Sequence, residues 1–117
     1  MCGIAGLFDT RGKRDFDRDL MRRMSDVQHH RGPDESGYHF EPGVAFAHRR
    51  LSIIDLATGQ QPLFNEDGSV AVVFNGEIYN FQDLVSELEA LGHVLRTRSD
   101  TEVFVHAWEA WGEDCVQ

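Results

Sequence analysis

No apolar run in the sequence approaches the ~20 residues that a membrane-spanning helix needs. Cysteine is scarce: Cys2 and Cys115 are the only two, too few for a disulfide framework. There is no internal repeat and no low-complexity tract. The six histidines, His29, His30, His39, His48, His93 and His106, fall at no HxxxH spacing and beside no paired cysteines, so spacing gives no metal site. The opening MCGIAGLFD is apolar for only a few residues and lacks the basic and long apolar regions of a secretory signal. These absences lead to the expectation of a cytoplasmic domain with reduced thiols.

What is present fits one small globular domain. The chain has 117 residues, 41% hydrophobic and 26% charged, enough for a single core. Its formal net charge of −9 argues against a duplex-binding basic stripe. The charge is uneven. Residues 1–50 hold 9 of the 11 basic groups, whereas residues 51–117 hold 2 basic and 12 acidic ones. That acidic half discourages nucleic acid and anionic membrane as partners.

Segment 2–8 is a short apolar run and reads as a buried strand. Segment 15–28 reads as a helix started by Asp15 or Asp17, with Phe16, Leu20, Met24 and Val27 on one face. Gly32 and Pro33 end it. Segments 37–41 and 43–48 read as strands around Pro42-Gly43, and Leu51 to Ile54 is another short apolar stretch. Asn65 to Gly68 is a turn. Segment 69–74 is apolar on both faces, as in a strand covered on both sides. Asn80 can cap a helix over 81–91 with Phe81, Leu84, Val85, Leu88 and Leu91 as its stripe, ended by Gly92. Residues 93–97 read as extended. Ser99-Asp100-Thr101-Glu102 has the capping-box pattern, opening a helix with Val103, Phe104, Ala107, Trp108 and Trp111 inward. This order suggests α+β or layered α/β, with helices covering sheet faces.

Several residues can carry chemistry, each beside an ordinary alternative. If the initiator methionine is removed, Cys2 carries a thiol and a free α-amine, with reference pKa values of about 8.5 and about 7.7–8.0. The amine can then take the thiol proton near neutral pH. The alternative is a small buried strand residue. Asn75-Gly76 offers a side-chain amide beside a glycine N–H, a plausible oxyanion hole, or simply a tight turn. Arg49-Arg50 offers a guanidinium that can hold a carboxylate through two parallel hydrogen bonds, or form a solvated ion pair. Asp100 can hold an ammonium group, or be an ordinary anion in the first turn of a helix.

Taken in order, Met1-Cys2-Gly3-Ile4, His30-Arg31-Gly32-Pro33-Asp34, His48-Arg49-Arg50-Leu51-Ser52-Ile53-Ile54-Asp55, Gln61-Pro62-Leu63, Asn75-Gly76-Glu77-Ile78-Tyr79-Asn80 and Ser99-Asp100-Thr101-Glu102 span essentially the whole chain. In these motifs the sequence resembles the glutaminase domain of glutamine-dependent asparagine synthetases, which are class II glutamine amidotransferases. The resemblance implies an α+β fold of the N-terminal-nucleophile hydrolase type, a layered αββα sandwich. Family domains are longer, so it also implies a sandwich incomplete at the C-terminal end of residues 1–117.

By the same resemblance, Cys2 attacks the glutamine carboxamide and its own α-amine is the base. Asn75 and the Gly76 N–H stabilise the oxyanion, Arg50 grips the α-carboxylate, and Glu77 and Asp100 hold the α-ammonium. Leu51, Ser52, Ile53 and Ile54 line the pocket with Arg50. The ammonia released would serve an ATP-dependent synthetase domain that makes asparagine from aspartate. That domain would bind ATP and Mg²⁺; this chain has no GxxxxGK[ST] and no Ser-Gly-Gly run, and no cofactor is expected in it. Expected partners are glutamine, the synthetase domain and, in some arrangements, a second copy of the chain. The alternatives are a non-catalytic glutamine-binding or interface module, active-site chemistry being lost if Met1 stays, and an amidotransferase acting on another carboxylate acceptor.

Overall fold

The computed structural model describes residues 1–52 and 59–117. The chain divides into two compact units. Among the described residues, one comprises 1–52, 60–62 and 73–75, and the other comprises 59, 63–72 and 76–117.

The first unit is a three-stranded antiparallel sheet with one helix against it. Its elements are β1 (Gly3–Phe8), α1 (Arg18–Asp26), β2 (Glu35–Glu41) and β3 (Val44–Arg50), and the sheet order is β1-β3-β2. β2 and β3 form a hairpin through Pro42-Gly43, where Gly43 takes φ +85° and its Cα lies so close to Gly12 that a side chain would collide. Register follows from alternation. Ala5 pairs with Ala47, which pairs with Tyr38, and Leu7 pairs with Ala45, which pairs with Phe40. This face packs on α1 to make the core of Ala5, Met21, Ala45 and Ala47, flanked by Leu7, Phe16, Met24, Tyr38 and Phe40. The alanines of β3 let the helix approach closely. Burying Met21 contributes about 1.5–3 kcal/mol. The opposite face carries Glu35, Gly37, His48 and Arg50, paired as Glu35 with Arg50 and Gly37 with His48.

Helix α1 differs in phase from the sequence expectation. Asp17 is its N-cap, accepting from the Asp19 N–H at 2.8 Å. Phe16 therefore precedes the helix and does not share its 3.6-residue period. The buried residues are Met21 and Ser25, while Leu20 is 37% and Val27 73% exposed. Arg49 fastens the far end, donating to the Ser25 carbonyl at 3.3 Å and pairing with Asp26. A cation there also suits the negative end of the helix dipole. β1 is covered on one face only, since Ile4, Gly6 and Phe8 are exposed.

The second unit contains β4 (Leu63–Phe64) and β5 (Ala71–Val72), paired antiparallel, then α2 (Phe81–Ala90), α3 (Glu102–Trp111) and a 3₁₀ turn over Gly112–Val116. The turn between β4 and β5 is organised by Asn65. Its N–H donates to the Val70 carbonyl, and its side-chain oxygen accepts from the Val70 N–H at 2.9 Å. Gly68 supplies the positive φ of +75°. α3 packs against α2 and the hairpin, burying Val103, Val105 and Ala107, while Leu88 is the buried residue of α2.

Three expectations are corrected here. β5 covers two residues, not six, and its residues are half-buried, because β4 offers only two pairing partners. The capping box is not formed. Glu102 turns instead to the Arg96 and Thr97 N–H groups and the Thr97 hydroxyl, at 2.6–2.7 Å. On α3, Val105 and His106 are buried and Trp108 is 47% exposed, so the inward face is rotated from the expected one.

Candidate active site

Cys2 stands at the start of β1. Its thiol meets the backbone that leaves β3: the Leu51 N–H donates to Sγ at 3.4 Å, and Sγ lies 4.0 Å from the Leu51 carbonyl oxygen. Both ends of this contact come from motifs singled out in the sequence. The carbonyl of Cys2 accepts from Arg31 Nε at 3.1 Å. Cys2 is half-buried and both cysteines are free.

The segment His30 to Asp34 explains itself as a bracket for these residues, a role that sequence reasoning had not given it. Arg31 holds the Cys2 carbonyl. Gly32 lies so close to the backbone of Arg49 and Arg50 that a Cβ would collide with it, which demands glycine. The Asp34 N–H donates to the Arg50 carbonyl at 3.1 Å, and the Asp34 carboxylate accepts from the Ser52 N–H at 2.7 Å. Leu51 and Ser52 are thus fixed from both sides. Ile53 and Ile54, expected to line the pocket with them, lie outside the described residues.

Arg50 is 7% exposed and donates through Nη1 to Glu35 Oε2 at 3.0 Å. A cleft of about 250 Å³ opens beside it, lined by Glu35, Gly37, His48, Arg50, Gln60 and Gln61. Gly37 is forced by the close passage of the Gln61 backbone. His48 is 1% exposed, and its Nε2 lies 3.3 Å from the Phe74 carbonyl oxygen. Burial holds its imidazole below the ordinary histidine range, and the neutral ring donates to that oxygen. On the preceding peptide group, the Phe74 N–H donates to Gln61 Oε1 at 2.5 Å. His48 and Gln61 therefore pin Phe74 at both backbone groups and fix the residue next to it, Asn75. Glu35, His48 and Gln61 went unassigned in the sequence. Their signal was the alternation of β3, which puts His48 and Arg50 on one face.

The remaining candidates belong to the second unit. Gly76 and Glu77 are exposed, as Asn75 is in the first unit. Asp100 Oδ2 accepts from the Ile78 N–H at 2.8 Å, which ties the strand-to-helix loop bearing Glu77 to the start of α3. Cys2, Arg50, Leu51, Ser52 and Asn75 lie in one compact unit and Gly76, Glu77 and Asp100 in the other.

The thiol of the second residue thus lies against a clamped loop that directly follows the arginine lining the cleft. Residues 1–117 match the family model described as a glutamine amidotransferase domain, and the chain belongs to that family. It is similar to asparagine synthetase [glutamine-hydrolyzing] 2 of Bacillus subtilis (strain 168), 46% identical over 114 residues, covering 96% of this chain and 15% of the relative. It is also similar to the asparagine synthetase [glutamine-hydrolyzing] of Triphysaria versicolor, 45% identical over 121 residues, and to number 1 of Arabidopsis thaliana, 44% identical over 120 residues. These matches cover 100% and 99% of this chain and 20% of each relative. The chain thus spans a fifth or less of the length of these three relatives. Among the described residues, no helix is long and apolar enough to cross a membrane.

Proposed function

We propose that this domain hydrolyses glutamine through Cys2 and supplies the ammonia to an asparagine-forming synthetase domain. The observation that carries the proposal is the seat of the Cys2 thiol against Leu51 N–H, at the head of the stretch expected to line the substrate pocket. The relatives' names, which couple glutamine hydrolysis to asparagine synthesis, support the same reading. Met1 is 73% exposed and so accessible for removal.

With Met1 gone, the α-amine of Cys2 takes the thiol proton and Sγ forms a bond to the carboxamide carbon. The carbonyl electron pair moves to oxygen, where Asn75 and the Gly76 N–H stabilise it. Collapse breaks the C–N bond, and the amine's proton leaves with ammonia. Water then cleaves the γ-glutamyl thioester, giving glutamate and the free thiol. Arg50 binds the substrate α-carboxylate, sharing its guanidinium with Glu35, while Glu77 and Asp100 bind the α-ammonium. Leu51 to Ile54 line the pocket. The layered αββα sandwich, the cytoplasmic setting and a homodimeric assembly belong to this proposal. ATP and Mg²⁺ would act in the synthetase domain, and no step here goes through them.

The test is Cys2→Ala in the full-length protein. Glutamine-dependent synthesis should fall to background while ammonia-dependent synthesis persists; loss of both, or of neither, overturns the role of Cys2. In the unsubstituted protein the glutaminase rate should rise through the amine pKa of about 7.7–8.0. A second reading is glutamine binding or an interface role without hydrolysis, and retention of Met1, which leaves Cys2 without a free α-amine, would favour it. Intact mass separates the two: retained Met1 together with measurable glutamine binding supports the second.

A further inference from the structure

The second unit holds a cluster that glutamine hydrolysis does not use. Glu66 on the β4–β5 turn, His93 after α2, and His106 and Glu109 on α3 each offer one donor atom, and these four atoms all lie within 4.8 Å of one another. His106 is 1% exposed, and neither of its ring nitrogens has a hydrogen-bond partner. An imidazole so buried ordinarily finds a partner for both. Its Nδ1 instead faces Glu66 Oε1 and Glu109 Oε2, each at 3.5 Å, and His93 Nδ1 lies 3.6 Å from Glu109 Oε2.

We propose that Glu66, His93, His106 and Glu109 bind one divalent cation of the zinc class. Two imidazoles and two carboxylates form a donor set suited to four-coordinate Zn²⁺. Ligands about 2.1 Å from a tetrahedral ion stand about 3.4 Å apart, close to the separations already present. Charge points the same way. Glu66, Glu102 and Glu109 surround His106, and the pairs gather three carboxylates with no lysine or arginine among them.

The surroundings orient the donors. Glu102 Oε1 stands 3.5 Å from His106 Nε2, so Nδ1 can bind the ion while the Nε2 proton faces a carboxylate, the usual support for a metal-binding histidine. Glu102 is itself fixed by Arg96 and Thr97. Asn65 Nδ2 donates to Glu109 Oε1 at 2.7 Å and leaves Oε2 toward the cluster. Three chain segments converge here, so sequence spacing alone could not reveal the set. Glu102, His106 and Glu109, at i, i+4 and i+7 on one helix face, were its visible part.

The test is titration of the metal-free chain with Co²⁺ and then Zn²⁺. One equivalent of Co²⁺ should bind with the intense visible bands of four-coordinate cobalt and be displaced by Zn²⁺. Glu109→Gln and His93→Ala should each weaken binding at least tenfold, with far-ultraviolet circular dichroism confirming that both variants fold. Absence of stoichiometric binding overturns the proposal. So does unchanged affinity in folded variants, or a cobalt–thiolate charge-transfer band, which would place the ion on cysteine. None of these readouts depends on glutaminase activity, so this site and the glutaminase reading fail or stand separately.

Discussion

His48 and His106 are buried to the same extent, at 1% exposure each, yet their surroundings solve opposite problems. His48 lies on a sheet face, donates to the Phe74 carbonyl, and has one cation and one anion near it, Arg50 and Glu35. His106 lies on a helix, has no hydrogen-bond partner, and is surrounded by Glu66, Glu102 and Glu109. A neutral, satisfied imidazole holds a loop in place. An unsatisfied one among carboxylates is a donor awaiting a cation. Burial alone does not distinguish these roles; the inventory of partners does.

The largest effect that sharpens this contrast is metal-linked stability. At 100 times its Kd, Zn²⁺ should stabilise the chain by about 2.7 kcal/mol. His93→Ala should lose about half of that gain or more in denaturant titrations, whereas His48→Leu should retain it. An equal response in both variants would erase the distinction. Next in size, His48→Leu removes a buried hydrogen bond to the Phe74 carbonyl and should cost about 1–3 kcal/mol.

The pH response is smaller. Burial, the leading cause, lowers the His48 pKa below its ordinary 6.5, and Arg50 adds to this, while the Phe74 carbonyl and Glu35 oppose it. The folded state therefore favours the neutral ring. His48's contribution to stability is whole above 6.5 and falls as the pH drops below it, because the unfolded ring takes up a proton that the folded ring resists; the loss is complete below the folded pKa. Urea midpoints measured from about pH 7.5 to about pH 5.5 should fall more steeply in the unsubstituted chain than in His48→Leu. Smallest of all, His106→Leu without metal should change stability by about 1 kcal/mol or less, since it removes an imidazole that has no hydrogen bond to lose. A cost equal to that of His48→Leu would mean the two rings are alike.

Much of the first unit was legible because alternation and turn residues carry it. Pro42-Gly43 marks the β2–β3 hairpin, and the face of β3 bearing His48 and Arg50 follows from period two. The phase of α1 was not, because Phe16 looked like its first apolar contact and lies outside the helix. In the second unit, the apolar run 69–74 shows avoidance of water but does not name its pairing partner, and β4 supplies only two residues. Ser99 and Glu102 have the spacing of a capping box, but two N–H groups and the hydroxyl of Thr97 compete for the Glu102 carboxylate and win. Of the candidate site, Cys2 and Leu51 are joined directly. The supporting roles of Arg31, Gly32, Asp34, His48 and Gln61 emerged only from folding, since each acts on the backbone of a distant residue.

The way Cys2 is moored bears on how such a nucleophile could mature. Leu51 engages its sulfur, Arg31 its carbonyl oxygen, and the next residue, Gly3, pairs with Arg49. None of these anchors uses an atom of Met1. Excision of that methionine would therefore unveil an amine on a strand whose position is already secured, and the new chain end would be born in register with no refolding to follow.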